Sequence, residues 1–297
     1  MTLVLSVSTK HAIWTMADRR LTGPSGPSAG LATKILRSET SNSKGLISYC
    51  GIGSKNDIEV SDWIKRALRG PSLNYVESIN RICSAANIRI PGSVHAFIAN
   101  SFVDGVPHQT TVSSRMGKKI LFDVSEKVIV DGSEHFSVHD VTFLTDVMVS
   151  VYGSGAAFFR EEHYDLITRT AESSLRRYGK DFWHNSVNNV HAVLAKVCRE
   201  ISRADPQVSP ECISACFLSD GTSWARGYDR FANMSDKIAI PSVSDGWPIN
   251  ELVCAILPTV SKSMIALEDG REIDREKEKT EINAALARLF MNPNDRF

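Results

Sequence analysis

No excess of charge of either sign marks this sequence. Its 297 residues carry 34 Lys or Arg and 34 Asp or Glu, so the formal charge is zero with histidine neutral. That balance supplies no long-range attraction to phosphate backbones or anionic lipid, and no basic run interleaved with aromatics stands out. Nucleic acid is therefore not an expected partner. No uninterrupted apolar run comes near the roughly 20 residues of a bilayer-crossing helix, so no membrane span is expected. The start, Met1 to Val7, has neither a basic leader nor an apolar stretch long enough for a signal peptide, and the chain reads as cytoplasmic. No CxxC pair occurs among the cysteines at 50, 83, 198, 212, 216 and 254, which argues against zinc. Most of them sit in apolar stretches, where a reduced thiol packs as a small hydrophobe. His135 and His139 are four apart, but Gly132 and the polar surroundings place them in a loop, so no metal is expected. The glycine-rich stretch Gly23 to Gly30 lacks the GK[ST] ending of a phosphate loop. It reads as a plain loop, and no cofactor is expected.

What is present is a globular composition, 42% apolar, on a chain long enough for one large domain or two small ones. Thr2 to Ser8 and His11 to Asp18 read as an N-terminal hairpin across the short link Thr9-Lys10. Strand-like Lys34 to Arg37 and Gly45 to Cys50 follow. Asn56 caps a helix carrying Val60, Trp63, Ile64 and Ala67, stopped by Gly70-Pro71. A second helix, Ser72 to Asn87, carries Val76, Ile79, Cys83 and Ala86. Val94 to Phe102 is strand-like, and short β-prone runs then alternate with turns at Asp104-Gly105 and Asp131-Gly132. After the strand Val147 to Tyr152, Gly153-Ser154-Gly155 leads into a helix ending near Gly179. The next helix repeats Val190, Leu194, Val197 and Ile201 at helical spacing until Asp205-Pro206, and the strand Cys212 to Ser219 follows. Strands alternating with helix pairs predict layered α and β structure.

The informative constellation is Thr2 with Asp18, Arg20 and Lys34 at offsets of 16, 18 and 32, within Ala17-Asp18-Arg19-Arg20-Leu21-Thr22 and Thr33-Lys34-Ile35. With each charged type near 6% of residues, three prescribed charges at prescribed positions are an accident of roughly one in five thousand. This pattern resembles the proteasome β-subunit family, including the bacterial HslV peptidase and the Anbu-type homologues. The resemblance extends to Cys50-Gly51-Ile52-Gly53-Ser54 before the first helix, Gly153-Ser154-Gly155 before the second helix pair, and Asp205 and Ser209 after it. It also takes in Ser219-Asp220-Gly221-Thr222 after the last core strand, so it covers residues 2 to about 225.

The resemblance implies an α+β fold, the four-layer αββα sandwich of N-terminal nucleophile hydrolases. It implies a threonine-type peptidase acting through Thr2 after removal of Met1. A threonine hydroxyl needs a base, and the α-amino group of the same residue, with a pKa of about 7.7 to 8.0, supplies one. By the same resemblance Lys34 favours the deprotonated hydroxyl and Asp18 holds Lys34 charged and oriented. The N–H of Gly51, or of Gly53, stabilises the oxyanion. Ser154, Asp205 and Ser209 hold the amino terminus, Thr22 takes part in substrate binding, and Arg20 is structural. The implied substrate is a peptide or unfolded protein, and the implied assembly is a ring or spiral of identical subunits, with room for an ATPase regulator.

The chain also departs from the family. Asp205-Pro-Gln-Val-Ser209-Pro210 replaces a tighter Asp-x-x-Ser-Gly-Gly, which leaves the partners of the amino terminus open. Residues 103–146 are longer than the usual core and are expected to add a hairpin. Residues 226–297 form a C-terminal extension to the hydrolase domain of residues 2–225. Between Glu268 and Glu281 it has seven acidic and four basic residues, and Ile282, Leu286 and Leu289 then repeat at helical spacing with Phe290 alongside. That reads as a charged segment running into an amphipathic helix that docks on its own subunit or a neighbour. Two further functional readings share the fold: a small-molecule amidase and a noncatalytic ring scaffold.

Overall fold

A computed structural model describes residues 2–23, 26–51, 54–55, 58–70, 73–93, 95–114, 135–141, 146–177, 183–231, 233–237 and 240–290. Met1, Gly53, Asn56 and the Asp131-Gly132 turn lie outside these residues. The chain opens with strands Leu3–Thr9 (β1), Ala12–Asp18 (β2), Arg20–Gly23 (β3), Gly26–Leu31 (β4), Ile35–Glu39 (β5), Ser43–Cys50 (β6), Ser54–Lys55 (β7) and Ile58–Glu59 (β8). Helices Val60–Ala67 (α1) and Tyr75–Arg89 (α2) lead to strands Ala96–Val103 (β9), Val106–Ser113 (β10), Ser137–Val141 (β11) and Val147–Gly153 (β12). A 3-10 turn, Ser154–Phe158, precedes helices Glu161–Leu175 (α3) and Trp183–Ala204 (α4). Strands Cys212–Leu218 (β13), Ser223–Tyr228 (β14), Met234–Lys237 (β15), Ser242–Ser244 (β16) and Trp247–Pro248 (β17) follow, and then helices Ile249–Glu268 (α5) and Arg275–Phe290 (α6).

These elements make a mixed α+β protein with two main sheets, ordered β12-β1-β2-β13-β14-β15 and β11-β10-β9-β6-β5-β16-β17. Alternation along the strands directs three cores. Leu3, Leu5 and Val7 of β1 join Trp14, Val149 and the α4 stripe Val190, Leu194, Val197 and Ile201. The opposite faces of β1 and β2, with Val4, Ile13 and Ala17, pack against Ile35, Leu46, Ile98 and Phe102 of the second sheet. The outer face of that sheet, with Leu36, Tyr49, Phe97 and Val112, packs against Trp63 and Ile64 of α1 and Ile79 and Ile82 of α2. Strands covered on both faces read as continuous apolar runs, which is why β1, β2 and β13 are buried from end to end.

Several expectations change in the folded chain. The stretch Gly23 to Gly30 was expected to be a loop, but Gly26–Leu31 pairs with Arg20–Gly23, with Thr22 opposite Pro27. A two-stranded ribbon has free edges, where a proline's missing N–H is tolerated. Helix α2 starts at Tyr75 behind a capping box, in which Asn74 Oδ1 accepts from the Glu77 N–H and Glu77 Oε2 accepts from the Asn74 N–H, both at 2.9 Å. Its buried face is Tyr75, Ile79, Ile82 and Ala86, whereas Val76 is 63% exposed. The expected stripe and the buried one share Ile79 and Ala86 and differ only at Val76 and Cys83, whose places are taken by Tyr75 and Ile82, and the Tyr75 hydroxyl donates to Thr110 Oγ1 at 2.9 Å. His139 stands in β11 rather than in a loop. Among the described residues no group of three or more His, Cys, Asp or Glu is placed to hold a metal ion. The Asp104-Gly105 turn does form, with φ of 49° and 80°, and joins β9 to β10 as a hairpin.

At the C-terminal end, β14 spans positions 225 and 226, β15 adds to the first sheet, and β16 lies parallel to β5 in the second. Helix α6 begins inside the charged stretch, at Arg275. Helix α5 is one the short apolar runs did not reveal. Among the described residues it alone is long and apolar enough, by length and composition, to cross a membrane, with mean hydropathy 1.3. Its first turn is tied to α1 by Glu251, which pairs with Lys65 at 3.0 Å and also with Arg69.

A buried histidine in α4 makes stability depend on pH. His191 is fully buried, its Nδ1 lies 2.7 Å from Ser214 Oγ, and burial, with Arg226 nearby, pushes its pKa down to about 3. Below the ordinary value near 6.5 the unfolded chain takes up a proton that the folded chain refuses. Stability is therefore fully present above about pH 6.5 and falls as the pH drops toward 3, by up to roughly 5 kcal/mol. Urea unfolding between pH 7 and pH 4.5 should show a loss of about 2–3 kcal/mol from this group. His191→Asn, which keeps a polar atom near the Nδ1 position, should remove that share of the slope.

Candidate active site

The β1–β2 hairpin sets the first two groups side by side. Val4 pairs with Ala17 in the antiparallel register, so Asp18 at the end of β2 lies beside the Thr2–Leu3 start of β1. The third group comes from the other sheet, since Lys34 immediately precedes β5. Packing of the sheets carries its ammonium into the same place. Asp18 Oδ1 accepts from the Leu3 N–H at 2.9 Å, from Lys34 Nζ at 3.0 Å and from the Thr2 hydroxyl. Its Oδ2 accepts from the N–H groups of Arg20 at 3.1 Å and Ser209 at 3.2 Å. Lys34 Nζ also donates to Thr2 Oγ1. The hydroxyl thus stands between a carboxylate that accepts a hydrogen bond from it and an ammonium that donates one to it.

All three side chains are buried, at 2% exposure or less. Burial lowers the pKa of Lys34 from its ordinary value, and the charge and hydrogen bond of Asp18 oppose that shift without cancelling it. The surroundings are thiols as well as carbons. Cys50, at the end of β6, is pushed up to about 11 by burial, and both Cys50 and Cys198 feel the Lys34 charge. Cys212 is the register partner of Asp18 on β13. The sequence marks these cysteines as core residues, and the strand register brings Cys212 beside the trio.

Gly153-Ser154-Gly155 closes over Thr2. Gly153 pairs with Leu3 and has φ of 94°, and a Cβ there would lie 1.9 Å from the Thr2 carbonyl oxygen, so only glycine fits. The Ser154 hydroxyl is buried without a hydrogen-bond partner. Asp205, just past the end of α4, is likewise buried, with Oδ1 accepting from the Gln207 N–H at 2.9 Å and Oδ2 unpartnered. Gly51 follows β6 at φ of 130°, a backbone region that favours glycine.

Ser209 reaches the trio through its backbone. Its N–H holds Asp18, while its hydroxyl donates to Glu211 Oε2 at 2.7 Å and accepts from the Glu211 N–H at 3.2 Å. Glu211 was not anticipated, because it occupies the place where the resemblance leads one to expect a glycine. The rest of this loop is tied to the end of β2, with the Arg19 N–H donating to the Glu211 carbonyl at 3.0 Å and the Arg20 guanidinium to the Pro206 carbonyl. That contact gives Arg20 its structural place. The backbone of Thr22 pairs in the β3–β4 ribbon, and its side chain lies outside the described residues.

No family model matches the sequence, and no curated protein matches it. Solved structures of similar chain path include Anbu proteins. A Gly-1 mutant of Anbu from Hyphomicrobium sp. strain MC1 has a TM-score of 0.46 at 12% identity, over 90% of this chain and 100% of that one. Anbu from the same strain has a TM-score of 0.45 at 11% identity, covering 76% and 86% of the two chains. Anbu from Yersinia bercovieri, described as an ancestral beta-subunit, has a TM-score of 0.47 at 9% identity, covering 75% and 86%.

Proposed function

We propose that this chain is a threonine-type N-terminal nucleophile hydrolase that cleaves peptide bonds through Thr2 after removal of Met1. The observation that carries the reading is the Thr2 hydroxyl held between Asp18 and Lys34, three residues distant in sequence and buried together. On this reading the three cores are those of a four-layer αββα sandwich. The hydrolase unit is residues 2–225, with β15, β16 and β17 of the extension adding to its two sheets.

With Met1 gone, the α-amine of Thr2 takes the hydroxyl proton as Oγ attacks the scissile carbonyl, and later returns it to the leaving amine. The Lys34 ammonium stabilises the oxygen as it loses its proton, and Asp18 fixes both partners. The Gly51 N–H serves the oxyanion, a role commonly worth ~3 to 4 kcal/mol. Water then releases the acyl group. The unpartnered Ser154 hydroxyl and Asp205 Oδ2 are suited to receive the new amine, which brings the hydrogen-bond donors that such buried atoms require. Ser209 contributes by holding Asp18, its hydroxyl being engaged by Glu211.

Intact-mass measurement with and without an electrophile that bridges a hydroxyl and an adjacent amine tests the reading. Loss of Met1 and one adduct per chain are expected. A retained Met1 with no adduct would point to a scaffold, and labelling with turnover of small amides but not of unfolded protein would point to an amidase.

The reading includes a homo-oligomer of ring or spiral form, open to an ATPase regulator. Helix α5 supports self-association, because Val253, Leu257, Met264, Ile265 and Leu267 are 45–63% exposed on a helix with few charges. Leu257→Glu with Met264→Glu should yield a smaller species in sedimentation velocity with the subunit's circular dichroism unchanged. An oligomer of unaltered size would remove α5 from the interface.

A further inference from the structure

We propose that Ser6, Thr15, Asn100 and Gln109, buried between the two sheets, form a built binding site for structural water. Strand register makes these side chains neighbours within each sheet. In the first sheet Ser6 lies directly opposite Thr15 on one side and Ser150 on the other. In the second, Asn100 lies directly opposite Gln109. Alternation points both rows inward. Leu5 and Val7 of β1 and Trp14 and Met16 of β2 face the helices, so Ser6 and Thr15 face the other sheet, as Val4, Ile13 and Ala17 do. On β9 the same parity joins Asn100 to Ile98 and Phe102 in the inter-sheet core.

The two rows meet. Ser8 Oγ donates to Asn100 Oδ1 at 2.6 Å, and Ser150 Oγ donates to Gln109 Oε1 at 2.9 Å. Each amide therefore has its oxygen engaged across the gap. Their nitrogens, Asn100 Nδ2 and Gln109 Nε2, are buried without a partner, and so are Ser6 Oγ and Thr15 Oγ1. The four residues are 1% exposed or less. Turning either amide over would only exchange which of its atoms lacks a partner. One orphaned group of this kind is costly, and four between the sheets would consume a large share of a domain's stability.

The chemistry of the layer selects the ligand. Two amide N–H groups and two hydroxyls offer donors, and the hydroxyls offer acceptors as well, which suits water making two to four hydrogen bonds. An anion would find donors but no counter-charge among these residues, and an unpaired buried charge costs far more than a neutral guest. A cation would find only neutral oxygens, two of them amide oxygens that already accept from serine hydroxyls, and no carboxylate among these residues. The site is independent of the hydrolase reading, since it lies within the sheets and uses no group of the Thr2 trio.

Water-oxygen and water-deuteron magnetic relaxation dispersion on the full chain detects internal water that exchanges more slowly than the protein tumbles. The wild type should show such a component. Ser6→Ala with Thr15→Val should lose a clear share of it, and Thr15→Val alone, which is nearly isosteric, gives the same readout should the double variant fold poorly. Wild-type amplitude in Thr15→Val would overturn the proposal. A melting temperature that rises with chloride at constant ionic strength in the wild type, but not in the variant, would also overturn it by assigning the layer to an anion.

Discussion

Thr2→Ala is expected to abolish labelling by the bridging electrophile and to reduce peptidase turnover by at least about 10³-fold, because the group that forms the acyl bond is gone. The fold should survive. Asp18 and Lys34 remain bonded to each other at 3.0 Å, and Asp18 keeps three backbone N–H donors, so the loss of one hydroxyl should cost about 1 kcal/mol. Thr2→Ser keeps the hydroxyl and should retain labelling. Labelling of Thr2→Ala at the wild-type rate would remove Thr2 from the reaction. The pH profile carries a second expectation. Burial lowers the pKa of Lys34, so the rate supported by its ammonium should decline on the alkaline side below the ordinary lysine value near 10.5.

Lys34→Met should damage stability as well as activity. It leaves the Asp18 carboxylate fully buried with no counter-charge, a change that typically costs about 3–5 kcal/mol. Lys34→Arg keeps the charge but places a planar fork where the structure holds a compact ammonium bonded to both Thr2 and Asp18, so labelling should fail here too. Urea unfolding of Lys34→Met, Asp18→Asn and the double variant forms a cycle in which the double change costs clearly less than the sum of the two. Additive losses would show that the two charges are not coupled through the contact seen here.

Legibility differed from feature to feature. The α4 stripe from Val190 to Ile201 was readable because one buried helix face has a fixed period, and all four residues are fully buried. On α2 the same rule finds Ile79 and Ala86 but is one residue off at Val76 and Cys83, where Tyr75 and Ile82 are the buried positions. Helix α5 is hidden in the sequence because Glu251 and Lys262 break its apolar runs, although Glu251 is spent on Lys65 of α1 and on Arg69 just beyond it.

By itself the sequence determined the linear facts: a threonine at position 2, Asp18 and Lys34 at set offsets, and strands and helices whose periodicity marks a mixed α+β chain. Those depend on local propensity and on spacing along the chain. The tertiary structure alone decided that Lys34 enters from the opposite sheet, that Ser209 holds Asp18 through its N–H while Glu211 takes its hydroxyl, and that Ser6, Thr15, Asn100 and Gln109 are buried between the sheets. Such facts depend on strand register and on how one sheet lies over another. A shift of a single residue in register turns every side chain to the opposite face, and no local pattern around Lys34 or Ser209 specifies that register.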